Sequence, residues 1–146
     1  MFWAVVGALA AVALVVAGCG GGDETTSLTR AQFVKQGNAI CKKQEDRRSK
    51  MILDAVESAP KDKELPQSAQ KALVLQTLPP YEEMAEELED LGAPEGDEAK
   101  IEALVEAMEK AASNIKEEPL QVISNKGQYE EANDLAVKYG LTECTL

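Results

Sequence analysis

Between Asp97 and Pro119 the apolar residues fall at Ile101, Leu104, Val105, Met108, Ala111, Ala112 and Ile115. Steps of three and four keep them on one face of a helix, and a chain patterned this way buries its stripes by packing helix on helix. No strand-like alternation of useful length occurs, and β-branched runs are short. The stretch "LTRAQF" opens a first helix: Thr29 caps the backbone amides, Gln32 reaches back, and Leu28 staples against Phe33. Its apolar set (Phe33, Val34, Ile40, Cys41, Met51, Ile52, Ala55 and Val56) carries it to about Ser58. "APKDKELP" then breaks the pattern as a loop. A second helix from about Pro66 uses Leu73, Val74, Leu75 and Leu78 until Pro79-Pro80 interrupts it. Tyr81, Met84, Ala85, Leu88 and Leu91 resume the stripe up to Gly92, as one kinked helix or two in succession. Asp97 is expected to cap the next helix. After Pro119 a weakly patterned segment leads to a last helix in which Tyr129, Ala132, Ala136 and Tyr139 share a face and Gly140-Leu141 forms a glycine cap. The expectation is an all-α, up-and-down bundle of four to five helices over residues 28–146, kinked at Pro79-Pro80.

Phe2 to Gly18 is wholly apolar or glycine, which suits either a membrane-spanning helix or the apolar region of an export signal. No Lys or Arg precedes it, where an export signal ordinarily carries one. Val16-Ala17-Gly18-Cys19 resembles the lipobox of bacterial lipoproteins, an aliphatic residue and two small ones before a cysteine. The resemblance implies that residues 1–18 are a lipoprotein signal peptide that is removed, and that Cys19 is lipidated. The other reading is an uncleaved helix with Cys19 as a bystander. Either way the domain is tethered to a membrane, on its extracytoplasmic face, and two or three acyl chains hold such a tether stably where one does not. Residues 19–27 are polar and glycine-rich, a flexible leash whose r.m.s. reach is about 15–18 Å.

Without residues 1–18 the chain keeps 128 of its 146 residues, enough for one core. Besides Cys19 it has Cys41 and Cys144. In an exported protein an even count reads as a disulfide; a reactive or metal-binding thiol pair is the rival. Charge is divided unevenly: residues 28–76 carry net +4 and residues 77–146 net −13, within a total of −11. An acidic total argues against nucleic acid as a partner. The band Lys42–Lys50 contains no apolar residue, and continuing the stripe through it turns Gln44 and Arg48, with Glu45 or Arg47, toward the core. Its cations Lys42, Lys43, Arg47, Arg48 and Lys50 either pair with acids of neighbouring helices or, lying near the lipidated end, form a patch that leans on anionic head groups.

At "LTRAQFVKQGNAIC", "LGAPEGDEAKIEALVEAME" and "YEEANDLAVKYGLTEC" the chain resembles a group of small secreted and lipid-anchored proteins of actinobacteria. These have a capped first helix bearing a cysteine, a Pro/Gly-Asp turn between central helices, and a last helix ending in Tyr-Gly-Leu before a terminal cysteine. The resemblance implies an all-helical fold and a Cys41–Cys144 pair; it brings no activity with it.

The chain has no histidine, which excludes Ser–His and Cys–His nucleophilic sites and histidine-bearing metal sites. Carboxylates such as Glu82, Glu83, Glu86, Glu87, Glu89 and Asp90 are abundant but fall on polar faces, where water screens them. No calcium-loop pattern is present. The reading is a membrane lipoprotein of the cell envelope, non-enzymatic and without cofactor or metal, that acts as a helical interaction module. The alternative is a carrier that holds a small apolar or lipid-like ligand in a cavity near Leu78, Tyr81, Met108 and Tyr139.

Overall fold

A computed structural model describes residues 27–60 and 64–146. Helix α1 runs Arg30–Ser58, α2 Gln67–Gln76, α3 Pro79–Asp90, α4 Glu98–Glu117, α5 Gln121–Ser124 and α6 Glu130–Tyr139. Short 3-10 turns at Lys126–Tyr129 and Thr142–Cys144 flank α6. The described residues contain no strand. Helix α1 lies against α3, α3 against α4, and α4 against α6, and the C-terminal turn closes the ring by returning to α1. The result is an up-and-down bundle around Phe33, Met84, Leu88, Leu104, Met108, Ile115 and Leu141, all at most 1 % exposed.

The ends of the helices follow from their sequences. Thr29 Oγ1 accepts from the Gln32 amide at 3.3 Å while Gln32 Oε1 accepts from the Thr29 amide at 2.9 Å, the full capping box, and Leu28 packs against the core that contains Phe33. Pro79 and Pro80 occupy the first two positions of α3, where a helix has no intrahelical use for the missing amide hydrogens. The chain therefore breaks between α2 and α3 there, and the Thr77 hydroxyl donates to the Leu73 carbonyl at 3.0 Å in the break. Gly140 ends α6 in the left-handed region, φ 105°, letting the Leu141 amide reach back to Ala136 O at 2.8 Å.

The C-terminal tail is tied down by several independent contacts. Cys41 and Cys144 form a disulfide, with Cα atoms 4.9 Å apart across a separation of 103 residues. From α1, the Asn38 side chain donates to Gly140 O at 3.1 Å and accepts from the Glu143 amide at 2.9 Å. From α6, Asn133 donates to Leu146 O and accepts from the Leu146 amide. Leu141 is fully buried beside Gly37, whose missing side chain makes room for it: a Cβ at residue 37 would sit 2.6 Å from Leu141 Cδ2.

One expected cap is absent. Asp97 is the residue before α4, but its carboxylate makes no capping bond. With ψ near 4° the residue lacks the extended geometry that aims a capping side chain at the following amides. The carboxylate instead accepts from the buried Tyr139 hydroxyl at 2.9 Å and from Lys100.

Candidate functional site

Only the first half of α1 enters the core, through Phe33, Gly37, Cys41 and Gln44. Beyond Gln44 the helix continues with no fully buried residue, and the expected apolar stripe ends on the surface: Ile52 is half-buried, and Leu53 and Val56 are 61 % and 56 % exposed. Helix α2 likewise buries none of its side chains fully; Leu73, Val74 and Leu75 are half-buried. Such a ten-residue helix is marginal alone and relies on tertiary contacts. The four-residue α5 leaves Val122 half-buried and Ile123 exposed.

These loosely packed elements face one another across a cleft of about 630 Å³. It is lined by Arg48 and Ile52 of α1, by Leu65, Gln70, Leu73 and Val74 of α2 and the segment before it, by Thr77, Leu78 and Ile115, and by Val122, Ile123 and Tyr129. Glu64 also borders it. The lining is chiefly aliphatic, and the volume suits a small organic ligand. Of the four residues expected around a cavity, only Leu78 borders this one. Tyr81, Met108 and Tyr139 are 2 %, 1 % and 6 % exposed and belong to the filled core, because the tail and α6 pack over them and the open space lies to their side, under α2.

Arg48 brings a cation to the cleft lining. Among the described residues its guanidinium makes one contact, to Glu45 Oε2 at 3.3 Å, and its side chain is 21 % exposed. Tyr129 also lines the cleft, and the Tyr81 ring, itself off the lining, packs edge-on against it at 5.2 Å between centroids. The Tyr81 hydroxyl is buried, with no hydrogen-bond partner among the described residues. Burial pushes the pKa of both phenols up, and the charge of Arg48 acts against that rise at each of them.

The basic band divides three ways. Lys42 and Lys50 point outward and pair within α1, with Asp46 at 3.0 Å and Asp54 at 2.9 Å. Lys43 and Arg47 cross to α3, where they meet Glu87 at 2.6 Å and Glu83. Arg48 turns into the cleft, and Gln44, 1 % exposed, donates to Glu87 Oε1 at 2.6 Å. Each of the five cations thus has a carboxylate partner. The band was legible as a departure from the stripe, and the inward turn of Gln44 and Arg48 follows from its spacing. Val122, Ile123 and Leu65 carried no such signal, since they stand in short segments without periodicity.

A second polar cluster joins the opposite end of the bundle. The Arg30 guanidinium lies 4.6 Å from the centroid of the Tyr139 ring and donates to Tyr139 O at 3.2 Å, with Asp97 4.0 Å away. The Lys100 hydrogen bond, then that of Tyr139, holds the Asp97 carboxyl below the usual range, and burial with Asp97 pushes the Tyr139 phenol up to about 12. Glu87 is also lowered, chiefly by Lys43. Both carboxyls move in the direction opposite to what a general acid requires. Among the described residues no group of three or more Cys, Asp or Glu side chains is placed to hold a metal ion, and no helix is long and apolar enough to cross a membrane. Cys19, the expected lipidation site, and the preceding apolar run lie outside the described residues. Comparison of the chain with protein-family models, curated proteins and solved structures finds no match.

Proposed function

We propose that this chain is a lipid-anchored protein of the extracytoplasmic face of the cell membrane, whose helical domain binds a small apolar ligand without catalysis. The observation that carries the reading is the 630 Å³ aliphatic cleft between α1, α2, α4 and α5, left open beside a core that is otherwise filled. The Cys41–Cys144 bond supports export, because such bonds persist outside the reducing cytosol. Val16-Ala17-Gly18-Cys19 supports the anchor. Mass spectrometry of material purified from membranes tests all three parts together. The expected species begins at an acylated Cys19, carries one disulfide and retains a small apolar compound. Soluble, unacylated protein inside the cell with Cys41 and Cys144 both reduced would overturn the proposal.

A second reading, a module that docks another envelope component, is favoured by the acidic side of the bundle. Glu89, Glu98, Glu102, Glu106 and Glu109 border one cleft between α3 and α4. It predicts a retained protein and an unoccupied aliphatic cleft in the same purification.

A further inference from the structure

The cleft lining combines two chemistries, and the combination identifies what would fill it. Leu65, Leu73, Val74, Val122 and Ile123 supply aliphatic surface. Arg48 and Tyr129 supply hydrogen-bond donors. Among the described residues the five N–H groups of Arg48 make one contact, at 3.3 Å to Glu45. Tyr129 borders the cleft beside it. Tyr81, 2 % exposed and in edge contact with Tyr129, belongs to the core and does not border the cleft. Among the described residues Glu64 is the one carboxylate on the lining; it stands with Leu65 on the segment leading into α2, whereas Arg48 is on α1. The remaining polar groups are engaged: Gln70 donates to Leu65 O at 2.7 Å and Thr77 to Leu73 O.

Building on the proposed function, we infer that the ligand is a single-chain amphiphile with a carboxylate head, its alkyl chain along the aliphatic side chains and its head on Arg48 beside Tyr129. A guanidinium and a carboxylate match in geometry and charge, so the Arg48 fork can take the head group. Each added methylene on the chain tightens binding about fourfold until the aliphatic surface is covered. Arg48 is placed by the helix that brings Phe33, Cys41 and Gln44 into the core, so the head site exists before the ligand arrives, whereas α2, which buries no side chain fully, adapts to the alkyl chain.

The test uses the whole chain reconstituted in nanodiscs of zwitterionic phospholipid, titrated with carboxyl-labelled hexadecanoate and, separately, with hydroxymethylene-labelled hexadecanol, both followed by carbon NMR. Wild-type protein should show a bound carboxylate signal whose titration midpoint lies below that of the acid in protein-free nanodiscs, because Arg48 favours the ionised head. Hexadecanoate should bind at least tenfold more tightly than hexadecanol. Arg48→Gln should abolish both the shift and the preference, and Arg48→Lys should restore part of each. Val74→Trp, which fills the cleft, should remove both ligands. Equal binding of acid and alcohol, unchanged in Arg48→Gln, would overturn the head-group assignment and leave the apolar cleft standing. Absence of a bound signal for either ligand would overturn the cleft reading and this inference with it.

Discussion

Replacing Cys41 and Cys144 together by alanine removes a covalent link that closes a loop of 103 residues. In the chain-entropy account a loop of that length restricts the unfolded chain by about 4.7 kcal/mol, and residual structure in the unfolded state reduces the figure, so the expected loss is about 3–5 kcal/mol. A domain of this size has a total stability of about 5–15 kcal/mol, so the loss is a large fraction of it. The melting temperature should fall by about 10–20 °C. The non-covalent ties remain in the variant: the Asn38 bonds to Gly140 and Glu143, the Asn133 bonds to Leu146, and the buried Leu141. The variant should therefore still fold, with the same helical circular dichroism spectrum and a larger dependence of stability on urea, because its unfolded chain is more expanded. Urea titration of the oxidised wild type and the double alanine variant measures both quantities. A loss below about 1 kcal/mol with an unchanged urea dependence would refute the reasoning, since the bond would then restrict nothing that the chain does not already restrict.

Gly37→Ala sets a gain in helix propensity of about 1 kcal/mol against overpacking of about 1–3 kcal/mol, because the new Cβ would meet Leu141 Cδ2 at 2.6 Å and Leu88 Cδ2 at 3.1 Å. Net destabilisation is expected in thermal melts, and it should shrink when Leu141→Ala is added. Asp97, lowered by Lys100 and Tyr139, stabilises the fold above the unfolded carboxyl pKa of about 3.9. That contribution is lost as pH falls through the lowered folded value, so Asp97→Asn should flatten the acid limb of a stability-against-pH curve. Tyr139, raised to about 12, behaves oppositely: its contribution is complete below the unfolded phenol pKa of about 10 and is lost as pH rises through the folded value, so Tyr139→Phe should soften alkaline unfolding. Native-state hydrogen exchange should find the amides of α2, which has no fully buried side chain, opening well below the global unfolding free energy, while those of α4, with eight buried residues, exchange only near it.

Much of the fold was written locally. The capping box at Thr29 and Gln32, the stripe from Ile101 to Ile115 and the Gly140-Leu141 ending each depend on residues within a turn or two of one another, and all three formed as read. The inward turn of Gln44 was legible because it breaks an apolar stripe at a position where the helix period demands burial. What escaped was set by neighbours distant in sequence. Asn38 and Asn133 look like ordinary surface amides until the tail arrives 102 to 105 residues after the first and 13 after the second. Asp97 looks like a cap until Tyr139, 42 residues on, brings a buried hydroxyl that needs an acceptor. The cleft was misplaced for a related reason. Leucines that fill a core and leucines that line an opening are the same residues, and only the incomplete packing of α2 and α5 separates them.

The bundle is therefore unequal along α1. At its start, the disulfide, Asn38, Arg30 and the Tyr139 cluster tie the tail to the helix. From Arg48 onward the helix borders the cleft. The start of α1 is far from the cleft, since the 18 residues from Arg30 to Arg48 span about 27 Å of helix, whereas the disulfide at Cys41 lies only about 10 Å of helix before Arg48. A leash from Cys19 would attach at the tied end and reach only about 15–18 Å. With α1 upright on the membrane, the cleft would then stand away from the lipid; with α1 lying along the surface, it would come to the level of the head groups. A protein that takes amphiphiles from its own membrane needs the second posture, and one that receives them from the medium needs the first. The outward cations Lys42 and Lys50 bear on that choice. Each has an exposed carboxylate partner four residues away, and exposed pairs of this kind contribute about 0–1 kcal/mol, so anionic head groups at about 1 kcal/mol per nearby cation compete with Asp46 and Asp54 on nearly equal terms. If the proposed anchor holds, the posture would follow the lipid composition beneath the protein rather than the fold itself, and raised salt, which screens both interactions, would favour neither.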